Sequence, residues 1–351
     1  MKICNPPTSP FRKGGTSKIP LFFKEGFGEI TKNSKFNKLL VFSEQKLHEM
    51  KGRHAILAKG GEGGFERDFQ VKRLINSKNK IPQAKMAFIG GSSTFSINFP
   101  EDLNLPGVRV LESKVFLTPF GESPEFKLIE IEGEKVLVVR MHGWRAGVSR
   151  ANASRQIFWV LEQAGVKTIL SEGGVGTIRK DFKLRSLIIP VDYVDLSLRK
   201  DVCLSDRYLL IMRDPVCPEL AKLLAEMTAG MLPEKQVNHG IYVVTDGRHF
   251  ESRAEVRMLE SLGGDVIGQS LCPEIYLARE IGACYAGLYL VVNQAEGVGP
   301  DWSHNELRNI FYQEAANMGK IIVESFNQIR QRHKKSCKCS KLRKRTLLKE
   351  K

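Results

Sequence analysis

From Met86 onward the chain alternates short apolar runs with amphipathic ones, and no other feature restricts its fold as much. "MAFIGG" (86–91) reads as a buried strand entering a glycine turn, and "KVLVVRMHG" (135–143) as a strand ending in polar residues. "SRQIFWVLEQAG" (154–165) is an amphipathic helix stopped by Gly165. Further strand-like runs fall at 167–174, 186–196, 240–247, 265–270 and 285–293, with helix-like runs at 217–230, 253–264 and 273–282 between them. A last helix spans 303–330, where Leu307, Ile310, Phe311, Met318, Ile321, Ile322 and Ile329 keep a helical period and Ser303 with Glu306 forms a capping box. Such alternation predicts an α/β domain over 86–330. Strands that are apolar throughout imply a sheet covered on both faces. Ligands of such sheets bind beyond the strand ends, so the polar residues after each apolar run carry the functional reading.

The net charge of +15 suggests nucleic acid until it is located. Residues 1–85 hold 18 Lys and Arg against 7 Asp and Glu, and residues 330–351 hold 11 against 1. The basicity therefore sits in the flanks, and the middle of the chain is mildly acidic. Residues 1–85 also lack sustained periodicity, and "PFRKGG", "FFKEGFGEI" and "LAKGGEGGFE" are loose variants of one theme. They resemble translated intergenic repeats. Two readings stay open: a gene start assigned too far upstream, with Met86 near the true one, or a disordered basic extension. The basic tail 331–351 reads as solvated. No apolar run approaches the ~20 residues of a membrane span. The seven cysteines (4, 203, 217, 272, 284, 337 and 339) are scattered without paired zinc spacing, and Cys337 with Cys339 is too small a ligand set. The expectation is reduced thiols, no metal and a cytoplasmic location.

Four strand ends carry oxyanion chemistry. Gly90-Gly91-Ser92-Ser93-Thr94 could bring backbone N–H groups and hydroxyls to an anion, or could be a plain turn. It is not the dinucleotide G-x-G-x-x-G pattern. Arg140 and His142 alternate along one strand and so should share a side, as a phosphate clamp or an exposed pair. "SEGGVGT" (171–177) is another small-residue loop, and Ser270 ends a strand just before Pro273 opens a helix.

"FIGGSS", "TPFGE" (118–122), "RMHG", "GRHFESRAE" (247–255), "GQSLCPE" (268–274) and "VVNQAEG" (291–297) in this order resemble the trimeric purine nucleoside phosphorylase and methylthioadenosine phosphorylase family. The resemblance covers about 86–325. It implies a three-layer α/β/α sandwich with a mixed central sheet, phosphorylase/hydrolase-like, in a homotrimer. It also implies phosphorolysis of a purine nucleoside to free base and pentose 1-phosphate, with inorganic phosphate as co-substrate and no other cofactor. By the same resemblance phosphate falls to Ser92, Arg140, His142, Gly173, Gly174 and Ser270. The nucleoside falls to Trp144, Phe250, Glu251, Gln269, Asn293 and His304, with Glu251, Asn293 and His142 catalytic. A carboxylate accepts from N1–H of a 6-oxopurine and an Asn amide serves O6 and N7, whereas adenine has no N1–H. Glu251 with Asn293 therefore points to inosine, guanosine or 5′-methylthioinosine.

The chain departs from the family pattern at Trp144, Gly173, His249 and Gln269, which places bulky basic groups beside the base and leaves the sugar contacts open. The rivals are a methylthioadenosine phosphorylase, suggested by "TPFG", a diverged inactive relative, and a nucleic-acid-binding protein using the basic flanks. Glu255 and Glu274 read as structural.

Overall fold

The computed structural model describes residues 80–205, 207–331 and 336–346. The extension over 1–85 thus lies outside the described residues apart from its last few. In chain order the strands are β1 (Met86–Ile89), β2 (Val108–Lys114), the short pair β3 (Leu117–Thr118) and β4 (Gly121–Glu122), β5 (Phe126–Ile131), β6 (Glu134–Val139), β7 (Thr168–Thr177), β8 (Leu187–Asp195), β9 (Tyr208–Leu210), β10 (Val237–Val244), β11 (Val266–Gly268), β12 (Cys284–Gln294) and β13 (Arg343–Arg345). The helices are α1 (Arg150–Gln163), α2 (Pro218–Met231), α3 (Arg253–Ser261), α4 (Leu271–Glu280) and α5 (His304–Gln331).

Helix ends follow local chemistry. Ser149 Oγ accepts from Asn152 N at 3.2 Å, so α1 starts four residues before the apolar period does. Gly165, at φ +78°, ends it as expected. Ser252 and Glu255 form a reciprocal capping box on α3. Ser303 Oγ accepts from Glu306 N at 3.1 Å at the head of α5.

Nine strands form one mixed sheet in the order β11-β10-β8-β12-β7-β1-β6-β5-β2. Strand β1 lies parallel to β6 and β7, and β12 lies parallel to β7, whereas β2, β5 and β6 run antiparallel to one another in turn. Strand β11 then returns to pair antiparallel with β7, so β7, β12, β8, β10 and β11 close on themselves. The remaining strands extend from this closed part as a wing. Strand β12, at the centre, is buried along all but its last residue, which explains its unbroken apolar run. Pro190 in β8 has no N–H to offer β10, and β10 shifts register there between Gly240 and Ile241. Asp265 Oδ2 accepts the Ile241 amide at 2.8 Å beside the irregularity. Among the described residues, no helix is long and apolar enough to cross a membrane.

The sheet brings the ends of β1 and β6, from the wing, and of β7, β11 and β12, from the closed part, to one place. Glu172 of β7, fully buried, holds the first of these ends. Its carboxyl group accepts from the amides of Gly91, Ser93 (3.0 Å) and Thr94 (3.2 Å) and from Thr94 Oγ1 (2.7 Å). The Gly90–Thr94 loop therefore does wrap an anion, but the anion is the protein's own side chain. Gly91 can carry no side chain: a Cβ would stand 2.3 Å from the Glu172 carbonyl oxygen and 2.5 Å from His142 Nε2. Glu172→Ala would strand these buried donors. At about 1–3 kcal/mol for each unmet group, the variant should lose about 3 kcal/mol or more in urea unfolding; a loss under about 1 kcal/mol would contradict the assignment.

Candidate active site

A cavity of ≈ 240 Å³ opens where the strand ends meet. Its wall holds Ser92, His142, Trp144, Gly173, Gly174, Phe250, Glu251, Gln269, Ser270 and Asn293, all expected from the sequence. Met141, Gly176, Glu296, Leu307 and Phe311 also line it and were not anticipated. Arg140 and His304 lie outside the wall.

Arg140 and His142 part because the strand ends one residue sooner than strand alternation requires. Strand β6 stops at Val139, and Met141–Gly143 form a 3₁₀ turn in which His142 takes φ +51°. The turn sends His142 inward, 3% exposed, and leaves Arg140 at the surface. The Arg140 guanidinium donates to the carbonyls of Phe95 (2.8 Å) and Ile97 (3.2 Å). His142 Nδ1 lies 2.8 Å from Glu274 Oε1, and Glu274 also accepts from Tyr285 Oη at 2.9 Å. Burial disfavours the imidazolium, but Glu274 beside it, by charge and hydrogen bond, and Glu172 farther off outweigh that and raise the His142 pKa. Glu274 is thus more than the structural residue its sequence position suggested. A carboxyl residue near the head of a helix looks like an ordinary dipole partner, and nothing local announces a histidine 132 positions away.

Within the small-residue run of β7, Gly174 is a packing requirement. A Cβ on Gly174 would stand 2.5 Å from the Phe311 ring of α5 and 3.2 Å from Ser92 Oγ. The Gly174 amide itself donates to Ser92 Oγ at 2.9 Å, so it is already engaged within the protein. Ser270 stands at the head of α4 with its hydroxyl 3.4 Å from Tyr242 Oη, and burial pushes the Tyr242 phenol up to about 12, which keeps it a neutral partner.

At the other end of the cavity, Glu251 Oε1 accepts from Thr245 Oγ1 at 2.6 Å. Asn293 Nδ2 donates to the Gln294 carbonyl at 3.0 Å, while Asn293 Oδ1 is buried and has no partner within the protein. A buried acceptor left open in a cavity wall is costly unless a ligand meets it. Phe250 covers this end, its ring 4.4 Å edge-on from Trp302, whose Nε1 donates to Glu296 at 3.1 Å.

Two of the departures turn out to be joined. Gln269 Oε1 accepts from Arg150 Nη1 at 2.8 Å, and the Arg150 guanidinium lies 4.1 Å over the Trp144 ring. Arg150, behind the lining, thus ties the wall residues Trp144 and Gln269 together. Arg248 and His249 are exposed and stand outside the lining.

Residues 103–327 match the family described as "Phosphorylase superfamily". A relative from Moorella thermoacetica named "Probable 6-oxopurine nucleoside phosphorylase" is 31% identical, covering 73% of this chain and 96% of its own. One from Methanothermobacter thermautotrophicus named "Probable S-methyl-5'-thioinosine phosphorylase" is 28% identical over 64% of this chain and 78% of its own. The crystal structure of a methylthioadenosine phosphorylase from an antarctic soil metagenomic library superposes with a TM-score of 0.64 and 26% identity, covering 74% of this chain and 91% of that one. The chain belongs to the phosphorylase superfamily.

The His142–Glu274 pair sets a pH dependence. Below its raised pKa His142 is a cation that favours an anion in the cavity, and it loses that charge as pH rises through the shifted value. The phosphate KM should therefore climb on the alkaline side. Glu274→Gln removes the largest raising influence, so the climb should begin at lower pH. Phosphate's own ionisation is common to both proteins and cancels in the comparison. Superimposable profiles would contradict the role of Glu274.

Proposed function

We propose that the protein cleaves 6-oxopurine nucleosides with inorganic phosphate, giving the free purine and a pentose 1-phosphate. Inosine, guanosine and 5′-methylthioinosine are the substrates in view. The single observation that carries the reading is the unpartnered, buried Oδ1 of Asn293 in a cavity that also holds Glu251.

The chemistry suits these two groups. Phosphate oxygen bonds to C1′ as the C1′–N9 bond breaks, and the purine leaves carrying negative charge unless a ring nitrogen is protonated. Protonation at N7 creates an N–H that Asn293 Oδ1 can accept, and Nδ2 has a second hydrogen for O6. Glu251, with one oxygen held by Thr245, keeps the other for N1–H. Adenine presents a bare acceptor at N1 and would leave that oxygen facing it.

At the opposite end phosphate meets the imidazolium of His142, held by Glu274 through Nδ1 so that Nε2–H serves the ligand, together with the Ser92 and Ser270 hydroxyls. Gly173 lies beside Ser270, whose Oγ a Cβ there would meet at 3.6 Å, an ordinary contact. Trp144 and Gln269, braced by Arg150, would border the sugar. This connected wall favours a site kept for use over one decaying in an inactive relative. The names of the relatives support both the oxopurine and the methylthio branches, and Asn293 with Glu251 favours the oxopurine base.

The family resemblance supports a homotrimer, as do the exposed apolar side chains Val115 and Leu117 around β3. Cysteines outside disulfides among the described residues support a cytoplasmic location.

A substrate panel with phosphate tests the base assignment. Inosine, guanosine or methylthioinosine should exceed adenosine and methylthioadenosine in kcat/KM by at least about tenfold. Asn293→Asp should lower oxopurine turnover and narrow that ratio. An adenosine-type preference, or a ratio unmoved by the substitution, would contradict the proposal.

A further inference from the structure

We propose that Cys217, Cys284, Cys337 and Cys339 form a structural zinc site that fastens the basic C-terminal segment to the phosphorylase domain. Their ligand atoms all lie within 4.8 Å of one another, with Cys217, Cys284 and Cys339 buried. Four thiolates at about 2.3 Å from a tetrahedral zinc stand about 3.8 Å apart. The cluster has that size, and the 3.4 Å between Cys284 Sγ and Cys337 Sγ is a non-bonded contact.

The four residues come from three separate places. Cys217 is the N-cap of α2, and its side chain makes no capping bond. Cys284 opens β12, and Cys337 and Cys339 flank one lysine in the tail. This is why the linear spacing gave no zinc pattern. A set of four sulfur ligands in tetrahedral reach suits zinc more than the oxygen-seeking cations, and it leaves no open coordination position for a substrate.

The tail is placed as such a site requires. Ser336 donates from its amide (2.7 Å) and hydroxyl to Glu219 in the first turn of α2. Strand β13 pairs antiparallel with β9. Arg343 donates to the Glu280 carbonyl and lies 4.4 Å over the Tyr208 ring. So residues 336–346 are docked, contrary to the solvated tail read from the sequence. Zinc with four thiolates would be a dianion, and Lys338 stands between two of the ligands in the chain.

The test is metal analysis of the full chain purified without chelator. Zinc should be present at about one per chain. Exchange into cobalt(II) should give the intense visible bands and sulfur-to-metal charge transfer of tetrahedral thiolate ligation. The double variant Cys337→Ser/Cys339→Ser should lose the metal, while Cys203→Ser, outside the cluster, should keep it. Limited proteolysis reports independently of how well the variant folds: the zinc-loaded wild type should resist cleavage within 336–346, and chelator treatment should expose it. Substoichiometric zinc with all four thiols titratable, or a disulfide between any two of them in the purified protein, would overturn the proposal.

Discussion

The site depends on one buried carboxylate. Glu172 takes up the amides of Gly91, Ser93 and Thr94, and so fixes the loop after β1 against the end of β7. Without that acceptor the loop would present several unmet donors inside the protein. With it, Ser92 is the loop residue that lines the cavity, its hydroxyl held by the Gly174 amide. Gly91 in turn lets His142 come close, because any side chain there would strike Nε2. A charge that could have repelled a phosphate is thereby consumed in the scaffold, and it helps to raise the pKa of His142.

From this point the cavity divides by chemistry. One end gathers hydroxyls and a histidine kept basic by Glu274, an arrangement for an anion. The other gathers Glu251, an Asn293 oxygen with no partner within the protein, and the Phe250 ring, an arrangement for a planar heterocycle with N–H groups. Trp144 and Gln269, also in the lining, are joined through Arg150. A ligand with an anion below a sugar and a purine beyond it fits the sequence of these surfaces.

Much of this was legible in the chain. The strand–helix alternation gave the α/β class, and the small and polar residues after apolar runs identified Ser92, His142, Gly173, Gly174 and Ser270 of the cavity wall, while the family resemblance supplied Trp144, Phe250, Glu251, Gln269 and Asn293. The failures have physical causes. Alternation along β6 predicted that Arg140 and His142 would share a side, but a left-handed turn at His142 breaks the period. The Gly90–Thr94 loop looked like a ligand's anion cradle, because sequence cannot say that Glu172, 81 residues from Gly91, already fills it. Strands β2 and β5 went unread: β2 is an exposed edge strand rich in charge, and β5, paired on both sides, carries Lys127 and Glu130 among its apolar residues. The closure of β11 on β7 and the convergence of four cysteines are long-range events without local pattern.

The central claim is that a phosphate anion, not water, is delivered to the sugar carbon. Phosphorus NMR of the purified enzyme with inosine and inorganic phosphate tests this most directly. The account predicts a sugar 1-phosphate signal that grows in step with free hypoxanthine and vanishes when phosphate is omitted. Release of hypoxanthine with free ribose, or no release at all, would contradict it.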